Sequence, residues 1–272
     1  MEIDNSMAIA FRKCAYMYQE KYERKLERIW AKPGEISSLA FGTRMHELLE
    51  ERYKDLMGQP IPPYPESEIP ALELEAQAMF AGYCNHYPVE SFRIVDVERT
   101  FKVPLNDRHN ALGKFDVVFE DPESDALIVM DHKTEKRNGR RNLPQSWAAR
   151  SQASIYFYAA EKFYGRPIRH LELNVLTRQS PKGQEAPTFP PRQTIQRSEA
   201  QIEQAVRDMI VVADTIEEYR QKFGDEPWPS STEECCQGYF ECDFYPLHVI
   251  GRSEELLKLY QPTTPYLDMA GF

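Results

Sequence analysis

Apolar positions along this chain change their period several times. Over "MAIAFRKCAYMYQEKYERKLERIW", Met7 to Trp30, and over "ISSLAFGTRMHELLEERYKDLMG", Ile36 to Gly58, they recur at the spacing of one helical face. Ser6 stands in the capping position of the first helix and Pro33-Gly34 ends it, while the second stops at the proline-rich "QPIPPYPESEIP". A third helix is predicted over Ala71 to Cys84. The period then shortens. "SFRIVDVERTFKVPL", "ALGKFDVVFE" and "ALIVMDHKT" are rich in β-branched and aromatic residues, and "NDRHN" and "DPESD" between them have turn composition. Pro144 to Tyr164 returns to helix, "IRHLELNVLTR" reads as a strand, and Ser198 with Gln201 has capping-box spacing ahead of a long amphipathic helix. The tail from Gly224 is irregular and rich in Cys, Pro and aromatic residues. This order predicts a mixed α/β fold with an antiparallel meander, not a doubly wound sheet. There is no glycine-rich phosphate loop to support a nucleotide-binding role.

The hairpin from Gly113 to Lys133 carries the candidate chemistry. With a six-residue loop over Asp121 to Ala126, Glu120 pairs with Leu127 and Asp116 falls opposite Asp131. Opposed residues hold their β-carbons about 4.5–5.5 Å apart, and like charges there repel. Two carboxylates so placed need a cation or a shared proton between them. Lys133 lies two residues beyond Asp131 and shares its face by strand alternation. The His132 side chain points the other way, leaving its carbonyl to reach a metal. A one-residue slip would separate the carboxylates. Two carboxylates, a carbonyl and water suit Mg²⁺, and Mn²⁺ also accepts an imidazole. A lysine beside such a cation orients or deprotonates water, or offsets charge on a phosphate, which is the chemistry of phosphodiester hydrolysis. The plain alternative is a surface salt bridge at a strand end.

A length of 272 residues suffices for one elaborated domain: an N-terminal helical region (1–90), a core (91–197), and a C-terminal helix with a Cys-rich tail (198–272). No apolar run approaches a membrane span, and the acid before the first apolar patch reverses the order of a secretory signal. We therefore expect a cytoplasmic protein without a membrane partner. The net charge of −10 weighs against a protein that coats nucleic acid, but it constrains only the far field. Lys136, Arg137, Arg140 and Arg141 leave the strand that carries Asp131, with Arg150 further on. They form a strip suited to sequence-tolerant phosphate contact, the plain reading being a solvated loop.

Four patterns stand in order: Gly42-x3-His46 in "FGTRMHELLE", Gly113-x2-Asp116 in "LGKFDVV", Asp131-x-Lys133 in "IVMDHKT" and Gln152-x3-Tyr156 in "SQASIYFYA". Each alone is commonplace, a helix-face histidine or a core tyrosine. Their order resembles the PD-(D/E)xK nuclease superfamily, and within it the RecB-like exonuclease branch that includes CRISPR-associated and phage exonucleases. The resemblance spans Gly42 to Tyr156. It implies a restriction-endonuclease-like core, a small mixed sheet flanked by helices. It also implies a metal held by His46, Asp116 and Asp131 with the His132 carbonyl assisting, and Lys133 as the catalytic lysine. Gln152 and Tyr156 would support the site or contact DNA, and Glu98 occupies roughly the place of a glutamate seen in some relatives. The expected activity is that of a Mg²⁺- or Mn²⁺-dependent DNA exonuclease. The alternative is an endonucleolytic or non-catalytic DNA-processing subunit that partners a recombinase or a CRISPR-adaptation protein.

The five cysteines, Cys14, Cys84, Cys235, Cys236 and Cys242, are odd in number and unevenly placed, which argues against an extracellular disulfide framework. Cys14 lies in "FRKCAYMYQEKY", which resembles the segment where iron–sulfur relatives place their first cysteine, three more following the core. "CCQGYFECDFYPLH" supplies Cys235, Cys236 and Cys242, with His248 where the last cysteine is expected. Two readings stay open. One is a bound metal, an iron–sulfur cluster ahead of zinc; the other is free cysteines buried as small apolar side chains. Cys84 is read as structural.

Overall fold

In the computed structural model of the chain the described residues are 1–29, 36–90, 92–136, 150–178, 187–231 and 242–263. Their elements in chain order are β1 (Glu2–Ile3), α1 (Asn5–Lys13), α2 (Ala15–Tyr18), a π-helical turn (Gln19–Glu23), β2 (Leu26–Arg28), α3 (Ser38–Leu56) and α4 (Pro70–His86). Then come β3 (Arg93–Pro104), β4 (Asn110–Glu120), β5 (Leu127–Lys136), α5 (Ser151–Tyr164), β6 (Ile168–Arg178) and β7 (Gln193–Ile195). The chain closes with α6 (Glu199–Phe223), α7 (Tyr245–Val249), α8 (Glu254–Leu257) and β8 (Tyr260–Pro262). Two compact units result: Met1–Trp30 with Lys102–Gly113 and Glu203–Phe272, and Ala31–Phe101 with Lys114–Ile202.

In the second unit, α3 starts at Ser37, whose hydroxyl accepts from the Ala40 amide at 3.0 Å and satisfies a donor the helix itself leaves unpaired. Phe41, Met45, Leu48, Leu49 and Tyr53 form its buried stripe. With Ala76, Met79 and Tyr83 of α4 they pack onto Val97, Val117, Phe119, Ile128, Met130 and Leu176 of the strands. Helical spacing on one side and strand residues on the other thus build one core. Arg44 ties the two helices by donating to both oxygens of Glu73 at 2.8 and 3.0 Å. That pairing holds the Glu73 carboxyl down at about 2.

The strands follow the hairpin arithmetic. β4 and β5 are antiparallel, with Glu120 opposite Leu127 and Val117 opposite Met130, and β3 pairs with β4. After α5 the chain returns as β6, parallel to β5, with Asp131 opposite Leu173 and His132 opposite Asn174. β7 closes antiparallel on β6, Leu171 opposite Ile195. The fold is mixed α/β, a small mixed sheet flanked by helices behind a helical N-terminal region. The capping box ahead of α6 forms: the Ser198 amide donates to Gln201 Oε1 at 2.9 Å, and the Gln201 amide to Ser198 Oγ at 3.3 Å.

In the first unit, β1 runs parallel to the start of β4, Glu2 opposite Asn110, and β2 pairs antiparallel with β8, Arg28 opposite Tyr260. The single helix expected from Met7 onward does not form. Asp4, not Ser6, is the cap, accepting from the Met7 amide at 2.7 Å. Cys14 is extended (φ −167°, ψ 118°) and splits the helix, and Leu26–Arg28 leaves it for a strand. The cause is tertiary. Tyr16 packs with Cys14, Cys242, Phe244, Leu247 and Tyr260, Tyr18 stacks on Trp228 at 5.8 Å, and the fully buried Glu20 is held between Arg24 and Arg252. Such distant packing overrides local helix propensity. The tail is also more regular than its composition suggests, with α7, α8 and β8. No helix among the described residues is long and apolar enough to cross a membrane.

Candidate metal centre

The site is built from α3 and the strands of the second unit. At Gly42 a β-carbon would lie 3.3 Å from Thr134 Oγ1 on β5, so glycine is what lets the helix come this close to the strand. One turn later on the same helical face comes His46. Its Nδ1 lies 3.6 Å from Asp116 Oδ2 and 3.9 Å from Glu98 Oε1. One ligand atom from each of these three residues falls within 4.8 Å of the others.

Glu98 reaches this position through a φ of +50°. A non-glycine residue in that left-handed region costs about 1–3 kcal/mol and persists where its surroundings hold it. Its carboxylate, 7% exposed, faces His46 through one oxygen and the Lys114 ammonium through the other.

The β4–β5 ladder ends at Val117 and Met130, one step short of Asp116 and Asp131. Opposed carboxylates at ladder spacing repel. Each finds another partner instead: Asp116 Oδ2 accepts from the His132 amide at 2.7 Å, and Asp131 Oδ2 lies 2.5 Å from Lys133 Nζ. Within an extended strand the N–H and C=O of one residue leave by the same edge, which turns the His132 carbonyl toward Asp116 as well.

The electrostatics follow from burial and crowding. Burial pushes the Asp131 carboxyl up to about 6, with Lys133 opposing and Asp116 adding to the rise. Burial also raises Asp116, against the pull of His46. For His46, burial disfavours the imidazolium, but Asp116 and Glu98 outweigh it and the pKa lies above the ordinary histidine value. Burial works against the Lys133 ammonium too, and Asp131 with Asp116 reverse that, so the amine holds its proton more tightly than a free lysine. Among the described residues, Glu98 Oε2 and Asp131 Oδ2 are buried with a lysine beside each but no aligned hydrogen bond. The carboxylates of Glu98 and Asp116 with the His46 imidazole make a donor set that fits Mg²⁺ or Mn²⁺, whereas Asp131, expected beside them, is not one of the three groups at metal spacing and faces Lys133.

Behind the site the His132 imidazole is buried in the core. Its Nδ1 lies 2.8 Å from Asn174 Nδ2 and its ring stacks on Tyr53 at 5.6 Å. Burial, with His46 and other nearby cations adding, holds its pKa well below the ordinary value, so it is neutral. Gln152 Nε2 donates to the Tyr156 hydroxyl at 3.1 Å, and that hydroxyl donates to the Lys114 carbonyl at 3.1 Å. Tyr156 also packs on Phe115 at 5.6 Å, so the pair braces the backbone two residues before Asp116.

Several expected residues are not part of this group. Arg137, Arg140 and Arg141 lie outside the described residues, as do Cys235 and Cys236. Cys14 and Cys242 share one buried apolar cluster, the Ser231 amide lies 3.5 Å from Cys14 Sγ, and the His248 ring packs 5.0 Å from Tyr16. Among the described residues no cysteine belongs to a group of three or more ligands at metal spacing. A second such group that the sequence did not signal, His109, Asp214 and Glu217, lies in the first unit. Cations already compensate it: Arg108 lies 3.0 Å from Asp214 and 2.5 Å from Glu217, and the Met1 ammonium 3.4 Å from Glu217. Lys114 was missed as well, although the alternation that links Asp131 with Lys133 could have found it.

With the hairpin's acids, histidine and lysine so placed, comparison with known proteins fixes the class. The sequence profile of the PD-(D/E)XK nuclease superfamily matches residues 6–246, and the chain belongs to that superfamily. No curated protein matches it. Of the solved structures, a candidate exonuclease from Eubacterium rectale aligns over 95% of this chain and 92% of its own, at 14% identity and a TM-score of 0.54. An alkaline exonuclease, LHK-Exo from Laribacter hongkongensis, aligns over 75% of this chain and 97% of its own, at 15% identity and a TM-score of 0.33. The first likeness bears on the fold alone, and the second carries no argument.

Proposed function

We propose that this chain is a divalent-metal-dependent DNA exonuclease of the RecB-like branch. The observation that carries the reading is the convergence of His46, Glu98 and Asp116 within 4.8 Å, with Asp131 and Lys133 beside them. His46, Glu98, Asp116 and Asp131, assisted by the His132 carbonyl, would hold Mg²⁺ or Mn²⁺. The cation supplies a Lewis acid for a phosphoryl oxygen and makes water more acidic.

The chain's own groups do the rest. Lys133 is held protonated by Asp131 and Asp116, which suits it to orient the attacking water and to offset the charge that builds on the phosphate. It does not suit a general base. The His132 backbone amide fixes the Asp116 carboxylate, and Asn174 and Tyr53 hold the imidazole of the same residue in the core. Gln152 and Tyr156 hold the β4 backbone in place. DNA would approach through sequence-tolerant backbone contacts, with Arg150 and the cations from Arg137 to Arg141 as candidates.

End-labelled linear DNA and closed circular DNA, incubated with Mg²⁺, Mn²⁺ or chelator, test this reading beside a Lys133→Ala variant. We expect the linear substrate to be degraded only with metal, the circle to be spared, and the variant to be slower by about a hundredfold or more. Cleavage of the circle would mean endonuclease action. Equal cleavage by the variant, or cleavage in chelator, would remove the proposal.

A further inference from the structure

One charge at the site is still without a role. Lys114 stands two residues before Asp116 on β4, as Lys133 stands two residues after Asp131 on β5. The strands are antiparallel, so the two lysines hold equivalent places on either side of the hairpin's end. Lys133 is matched to Asp131. The Lys114 ammonium instead contacts Oε2 of Glu98, whose other oxygen faces His46 within the metal-spaced group. One carboxylate therefore serves a lysine and a candidate metal seat together.

The two partners differ in freedom. Glu98 is nearly buried and fixed by its left-handed backbone, whereas the Lys114 side chain is 30% exposed. The Lys114 carbonyl is pinned by Tyr156, so any adjustment falls to its flexible four-carbon stem.

We propose that Lys114 is a resident counter-cation, paired with Glu98 in the metal-free site and handed to a phosphate of the DNA once a divalent cation is held there. An ammonium and a divalent cation on one carboxylate repel each other, so Lys114 gives up Glu98 and turns toward solvent, where the polyanion arrives. It competes with the metal before substrate binds and attracts the phosphate afterwards. This inference rests on the metal-dependent reading above.

The test is Mn²⁺ titration of the full chain without DNA, by calorimetry, for wild type, Lys114→Gln and Lys114→Met, followed by steady-state kinetics on linear DNA. With the competitor gone, both variants should bind Mn²⁺ about two- to fivefold more tightly, the scale of a partly exposed ion pair. KM for DNA should rise, with kcat changed less. Mn²⁺ affinity equal to or weaker than wild type in variants that melt cooperatively would overturn the proposal, since that is the behaviour of a purely structural pair. Tighter Mn²⁺ binding with an unchanged KM would overturn the phosphate half. A wild-type chain that binds no Mn²⁺ would remove the metal reading itself, a result distinct from a wild type that binds while the variants merely match it.

Discussion

Gly42→Ala tests whether the close contact between α3 and β5 sets the position of His46. An alanine there gains helix propensity of about 1 kcal/mol over glycine. Its β-carbon, however, would meet Thr134 Oγ1 at 3.3 Å, tighter than ordinary van der Waals contact. Overpacking of this kind costs about 1–3 kcal/mol, because helix and strand must part by a few tenths of an ångström. The two effects oppose, and the net should lie between neutral and a loss of about 2 kcal/mol. Thr134→Ala removes the obstructing oxygen. In that background Gly42→Ala should recover its full gain of about 1 kcal/mol, so a double-mutant cycle should show a coupling of about 1–3 kcal/mol. Urea denaturation of the four proteins measures this, and Mn²⁺ titration reads the consequence for His46. Affinity should fall several-fold in Gly42→Ala and return in the double variant. A gain of about 1 kcal/mol in both backgrounds, with Mn²⁺ affinity unmoved, would refute the reasoning.

Three further outcomes are expected. Asp131 titrates near 6 in the folded chain against 3.8 for an ordinary aspartate, so the folded state holds its proton more tightly. Its contribution to stability is complete below about pH 4 and disappears as pH rises through about 6. In chelator, the stability of wild type relative to Asp131→Asn should therefore fall by about 2 kcal/mol between pH 4 and pH 7, and a difference that stays constant across that range would contradict the assignment. Glu98→Gly removes the positive-φ strain and a carboxylate crowding Asp116. Thermal melting of the metal-free variant should be unchanged or higher, while Mn²⁺ affinity drops about tenfold or more. Tyr156→Phe loses the hydroxyl between Gln152 and the Lys114 carbonyl. It should cost about 1 kcal/mol in urea denaturation and lower kcat on linear DNA.

The second unit is legible in the sequence where local signals agree. The turn residues between "ALGKFDVVFE" and "ALIVMDHKT" suit a six-residue loop, and the strands pair in the register such a loop sets. Ser198 and Gln201 cap a helix through side chains that act within three residues of their own position. The first unit is harder to read because its determinants lie far apart. β2 and β8 are three residues each, and neither has a pattern of its own without the other. The extended turn at Cys14 depends on tail residues such as Phe244 and Tyr260. In the site, hairpin spacing points to Asp116, Asp131 and Lys133, and His46 comes only from the family resemblance. The arrival of Glu98 among them depends on a backbone angle that no side-chain pattern encodes.

The turn between β4 and β5 also shows where the chain tolerates change in length. Pro122 to Asp125 are exposed and lie beyond the last paired residues, Glu120 and Leu127. A short epitope or a fluorophore-bearing segment spliced in beside Glu123 would lengthen the bend and leave the acids in place. One extra residue at Val118 would instead invert the alternation of everything toward Asp116. Deletion and insertion scanning of this region should therefore yield a sharp boundary of tolerance within a few residues, a map that reports on the nuclease without assaying it.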